Sequence, residues 1–254
     1  MGRPPSRHRP NLLYIHSDQH NPTVAGCYGD SAIQTPNLDR LAVRGAVFTN
    51  AYCPSPLCVP SRMSILTGRY PHENGVWTNE DMLNPATPTF AHAMGAGGYR
   101  PVLIGRMHAV GLDQLYGYVE RLVGDHRPNF PGGRPVDHGM LAGTAEPLRV
   151  SLQKSGIGQN AYQVHDEDVT AATVHYLNRL GVRRRAGVLS DPFCLSVGLM
   201  LPTSPSSRDG PTMTSIAARS ACPGSPSPTA TTFTPTSAGG GRSAASRRSP
   251  TTRC

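Results

Sequence analysis

NLLYIHSD, residues 11–18, is a short apolar run that ends in polar side chains. Such a run predicts a buried parallel strand with its polar end at the sheet edge. Working outward, Thr35-Pro36 supplies a helix cap and a first-turn proline, and Gly45 closes about three turns later. AVFTNAY (46–52) alternates like a second strand. Pro60-Ser61 opens a helix that Gly68 stops, Thr87 to Met94 predicts another, and Arg100 to Gly105 reads as a strand. Asp166 is taken as the cap of DEDVTAATVHYLNRLG, in which Val169, Thr173, Tyr176 and Leu180 share one face. PFCLSVGLM (192–200) is the next buried strand. Strands alternating with helices predict an α/β fold with a mostly parallel sheet and helices on both faces. Such sheets bind ligands at the carboxyl ends of their strands. Asp18, the loop before Cys58 and the turn from Gly105 to His108 all fall at such ends.

Composition divides the 254 residues into three parts. Residues 1–10 read as a disordered N-terminus and 11–202 as the folded portion. Residues 203–254 contain no Leu or Val, and one acid, Asp209, against six arginines. Ordering that backbone would cost more than its few apolar side chains return, so disorder is expected there. The tail carries five of the chain's eight net positive charges, and the remainder shows no basic helix or aromatic platform, which argues against nucleic acid. Only Leu12 to Ile15 is apolar near the N-terminus, too short for a signal or membrane segment, so a cytoplasmic protein is expected. The six cysteines show no CxxC or framework spacing and read as reduced thiols.

One of those thiols stands out. Cys58-Val59-Pro60-Ser61-Arg62, followed by Leu66-Thr67-Gly68-Arg69, resembles the C-x-P-S-R and L-T-G-R signature of the type I sulfatases, within the alkaline-phosphatase-like superfamily. The resemblance implies that a formylglycine-generating enzyme converts Cys58 to formylglycine, whose hydrate is the nucleophile. A helix starting at Pro60-Ser61 would aim its N-terminal dipole at an anionic centre, and Arg62 would hold nucleophile or sulfate with permanently charged donors. Arg69 is read as structural.

The likeness extends along the chain. PNLLYIHSDQH resembles the family's first metal-binding strand, with Asp18-Gln19 in the form found in choline-sulfatases and phosphonate monoester hydrolases. It implies a divalent metal on Asp18, Gln19 and residue 58, calcium foremost and manganese as the alternative, since both take hard oxygen donors. IGRMHAVGLDQLYGYVER (104–121) resembles the G-K-x-H segment and its D-Q-L-x-G continuation. That makes His108 a proton donor or hydrogen-bond partner of the nucleophile. Arg106 replaces the usual Lys: it keeps the charge for substrate but cannot serve as a neutral amine, and Arg106→Lys is expected to be tolerated. Asn79 matches a substrate-contacting Asn. Asp137-His138-Gly139 has the form of the family's second metal pair but precedes the Asp166 helix, and is read as loop. His16, His20, His72 and His165 are read as structural.

After VGLMLP the family continues H-x-P-F, whereas this chain reads Thr203-Ser204-Pro205-Ser206. A one-base shift at Pro202 back-reads as H-Q-P-F and an aromatic, acidic continuation, so residues 203–254 are read as an out-of-frame tail, with a natural Ser/Thr/Pro tail as the competitor. The implied function is hydrolysis of small sulfate esters, inactive in this truncated form. Phosphonate or phosphodiester hydrolysis at the same site, and a non-catalytic remnant, stay as alternatives. Oligomeric state is left open.

Overall fold

The computed structural model describes residues 9–134, 136–144, 156–203 and 207–208. In chain order the elements are β1 (Leu12–His16), α1 (Pro36–Arg44), α2 (Cys58–Thr67), α3 (Pro71–Asn74), α4 (Phe90–Ala96), β2 (Arg100–Gly105) and β3 (Glu120–Leu122). They are followed by β4 (Gly156–Ile157), α5 (Ala161–Arg185), β5 (Phe193–Gly198) and β6 (Ser207–Arg208). Four strands form a parallel sheet in the order β1-β5-β2-β3.

Alternation along the strands assigns the faces. Val102 and Ile104 of β2, with Leu195 and Val197 of β5, pack against Val169 of α5. Leu103 points the other way and joins Val59, Met63 and Leu66 of α2 and Ala91 of α4. Helices therefore cover both faces of the central strands, as parallel sheets require. β1 is the edge, and its Ile15, paired in register with Val197, is 59% exposed.

Local chemistry explains the element ends. α2 stops at Gly68, which is left-handed at φ 67°. α5 begins at an Asn160–Gln163 capping box, each side chain bonding the other's backbone N–H. At the carboxyl end of the sheet the Arg106 N–H donates to the Gly198 carbonyl. A Cβ at Gly198 would collide with the Arg106 carbonyl, and one at Gly105 with the Gly198 carbonyl, so this close crossing needs both glycines.

β1, expected to be buried, is instead an exposed edge strand, and four further expectations are corrected. Residues 46–52 form no strand: Phe48 is 74% exposed, and alternation yields a strand only where a partner satisfies its backbone groups. Asp166 does not cap α5, which starts five residues earlier. Its carboxylate instead accepts the backbone N–H groups of Met200 (2.7 Å) and Leu201 (2.9 Å) beyond β5. The helix expected from Pro60 starts at Cys58, and the one expected from Thr87 is Phe90–Ala96, capped by the Thr89 side chain. The expected tail lies outside the described residues except for Thr203 and the β6 pair, which forms a short parallel ladder with β4.

Candidate active site at the carboxyl end of the sheet

Asp18, two residues past β1, is the centre of the site and is buried. Its Oδ2 accepts from Arg62 Nη2 at 2.9 Å and from Arg106 Nε at 3.0 Å. Both arginines are buried too, Arg62 to 3% exposure. Burial alone would raise the Asp18 pKa, but Arg62 and Arg106 outweigh it and hold the carboxyl below the usual range. The other oxygen, Oδ1, faces the Cys58 thiol at 3.7 Å. Arg62 also donates to the Arg106 carbonyl at 2.9 Å, which ties α2 to the end of β2.

Arg106 uses its whole fork: besides Asp18, it donates through Nη1 to the Met200 sulfur (3.1 Å) and through Nη2 to His108 Nδ1 (2.8 Å). Guanidinium has no acceptor, so Nδ1 of His108 must accept and its proton sits on Nε2. Burial, with Arg106 beside it, lowers His108 to about 4, so the ring is neutral at pH 7. A lysine at 106 would keep the charge but not the planar fork that spans these three partners.

The turn carrying His108 rests on a residue that the sequence did not flag. Asp125 Oδ1 accepts from the Met107 (3.0 Å) and His108 (2.9 Å) backbone N–H groups, and Asp125 pairs with Arg121 at 2.8 Å. The i,i+4 spacing of Arg121 and Asp125 was the available signal. His108 sits at φ 57° and Gln19 at φ 58°, left-handed conformations uncommon for side-chain-bearing residues.

Not every expected residue joins the cluster. Gln19 is exposed. Asn79 is exposed as well, and its Oδ1 accepts the Val59 N–H at 2.9 Å. That bond satisfies one of the free N–H groups in the first turn of α2, where the residue preceding the helix, Leu57, has no side-chain acceptor to offer. Arg69 is exposed. His138, in the decoy triplet, lies in a loop and not with Asp18, as expected.

A divalent metal would find few free donors here. Asp18 Oδ2 already serves two guanidiniums, which leaves Oδ1 and residue 58 as the inward-facing ligands. Among the described residues no three His, Cys, Asp or Glu side chains converge on a point. One carboxylate beside two cations favours an anion over a divalent cation, so a metal does not fit the described residues by themselves. What they place together is two buried guanidiniums, one carboxylate and the Cys58 thiol.

Residues 10–214 match the family model described as Sulfatase. A choline-sulfatase from Rhizobium meliloti is 32% identical over 207 residues, covering 78% of this chain and 39% of that protein. An N-acetylglucosamine-6-O-sulfatase from Bacteroides thetaiotaomicron is 38% identical over 118 residues, 46% of this chain and 21% of that one. The crystal structure of a phosphonate monoester hydrolase of Agrobacterium radiobacter superposes with a TM-score of 0.53 at 20% identity, covering 80% of this chain and 43% of the other, a likeness of fold. The chain thus spans less than half the length of each of these relatives. No described helix is long and apolar enough to cross a membrane.

Proposed function

Because the chain belongs to the sulfatase family, which uses a formylglycine and a divalent metal, we propose that it carries the nucleophile side of a site for small sulfate esters. The observation behind the proposal is the buried contact of Cys58, Arg62 and Arg106 with one carboxylate, Asp18. Formylglycine made from Cys58 supplies, once hydrated, an oxygen that attacks sulfur as the bond from sulfur to the ester's alcohol oxygen breaks and the alcohol leaves with a proton. Arg62 and Arg106 hold the equatorial oxygens of the sulfuryl group with donors fixed before the reaction begins. His108 offers Nε2–H to the bridging oxygen or the nucleophile, and a bound anion raises its basicity towards proton transfer. Asp18 Oδ1 orients the nucleophile. Asn79 acts on substrate only by way of the first turn of α2.

The family's metal, proposed as calcium with manganese as the alternative, would use Asp18, Gln19 and residue 58 and needs ligands from outside the described residues. The described residues are proposed to bind sulfate esters, with slow or no turnover unless those further ligands are supplied. The 11–202 portion is the proposed catalytic part, with a formylglycine-generating enzyme as its maturation partner and the cytoplasm as its location.

Binding is the first test. In calorimetry with 4-nitrophenyl sulfate, Arg62→Ala should weaken affinity by about tenfold or more, since hydrogen bonds to charged groups contribute roughly 1.5–3 kcal/mol. Equal affinity in the variant, or tighter binding of a phenylphosphonate monoester, would move the assignment away from sulfate esters.

A further inference from the structure

Just past β5 the chain is held from α5. Asp166, in the second turn of that helix, accepts the Met200 N–H through Oδ1 (2.7 Å) and the Leu201 N–H through Oδ2 (2.9 Å). These partners lie 34 and 35 residues away in sequence. On the other side of the turn, the Leu199 N–H donates to the His16 carbonyl at 2.8 Å. Val169, three residues beyond Asp166, packs against Val102 and Ile104, so this part of α5 is fixed to the sheet. The helix already has its cap in Asn160. Asp166 therefore spends both carboxylate oxygens on placing one short turn.

What that turn carries is the Met200 side chain. It is buried, packs with Ala161 and Tyr162, and its sulfur accepts from Arg106 Nη1 at 3.1 Å. The same guanidinium reaches Asp18 through Nε (3.0 Å) and His108 through Nη2 (2.8 Å). Two contacts leave a planar fork free to tip about the line that joins them. A third contact off that line stops the motion, and Met200 supplies it. Such fixing has a chemical use, because donors stabilise developing charge when they are aimed before the reaction begins.

The kind of acceptor counts as much as its position. Arg62 and Arg106 share one carboxylate, which leaves one surplus positive charge between them. A carboxylate at position 200 would cancel that surplus at close range. A thioether is an uncharged, weak acceptor: it orients Nη1 and leaves the charge for an anion. Resting on the sulfate-ester reading above, we propose that Met200 and Asp166 are positioning residues of the sulfate site. Asp166 fixes the turn past β5, and Met200 holds the Arg106 fork in line for a sulfuryl oxygen without neutralising it. Both act through Arg106 and neither touches substrate.

The test uses the whole chain, with sodium sulfate as the ligand and two readouts. Calorimetry compares the sulfate affinity of Met200→Leu, Asp166→Asn and the double variant. Leucine nearly keeps the packing volume and removes the acceptor. Met200→Leu should therefore weaken sulfate binding by about threefold to tenfold, the scale of one hydrogen bond. Asp166→Asn offers one acceptor oxygen where two are used, and should weaken binding similarly. The double variant should bind no more weakly than the weaker single variant, because both changes act through one contact. Arginine side-chain NMR without sulfate reads the anchoring itself. Rotation of the Arg106 guanidinium about its Nε–Cζ bond should quicken in both single variants, while that of Arg62 stays as in the parent. If Asp166→Asn does not fold, Met200→Leu carries the result. Parental affinity or unchanged Arg106 rotation in folded Met200→Leu, or losses that add in the double variant, would overturn the proposal. If the parent chain fails to bind sulfate while Arg106 rotation still quickens in Met200→Leu, the sulfate-ester reading falls and the positioning of Arg106 stands.

Discussion

The carboxyl ends of β1 and β3 each bury an aspartate against arginine, and the two are satisfied differently. Asp125 is saturated by Arg121 four residues earlier, Asn129 four residues later and two backbone N–H groups of the His108 turn. Asp18 instead meets Arg62 from α2 and Arg106 just past β2, 44 and 88 residues away. One oxygen is left towards Cys58. The first arrangement is complete as it stands. The second holds two cations to one anion, and its surplus charge is what an oxyanion would match. A buried carboxylate is thus a scaffold or a site according to where its charge balance closes.

Substituting each aspartate tests that distinction. Asp125→Ala and Asp18→Ala should each lower unfolding free energy by about 3–5 kcal/mol, because each leaves buried guanidinium unpaired. Added sodium sulfate should restore much of the loss in Asp18→Ala, where Arg62 and Arg106 can share the anion, and little in Asp125→Ala. Equal rescue of both, read from denaturant midpoints, would erase the contrast.

Acid provides a second probe. Burial holds His16 and His108 at about 4 and His126 at about 3, below the ordinary imidazole value near 6.5. The unfolded chain then binds more protons than the folded one between about pH 6.5 and 4, so stability should fall as pH drops through that window. Asp18 and Asp125, also depressed, add their loss only below about pH 4, as pH falls towards their folded values. A flat stability profile from pH 6.5 to 5 would contradict the burial of these rings.

A smaller effect is expected at the sheet edge. Ile15→Lys, on the exposed face of β1, should change stability by no more than about 0.5 kcal/mol. Leu195→Ala on the partner strand β5 should cost about 2–5 kcal/mol. A comparable loss at both positions would show that β1 is covered in solution.

Much of this was legible in the residues. β2 and β5 follow from apolar runs that burial enforces, whereas β1, read as buried from a similar run, is an exposed edge strand. Asp18, Cys58, Arg62, Arg106 and His108 are singled out by the family resemblance, and the structure brings them together. Asp125 was hidden because its role is to accept backbone N–H groups from another segment, and sequence does not display such bonds. The start of α5 was misplaced because Asn160 and Asp166 are both good caps by type. Only the pull of Met200 and Leu201 on Asp166 decides between them. The strand expected at 46–52 failed for the opposite reason: its pattern is right, but no described strand lies beside it.

Cys58 is proposed to become the formylglycine nucleophile. Coexpression of the chain with a formylglycine-generating enzyme, followed by peptide mass spectrometry, tests it on the protein itself. The predicted result is an aldehyde at position 58 and at no other cysteine. An intact thiol at Cys58, or an aldehyde at Cys53 or Cys27 instead, would contradict it.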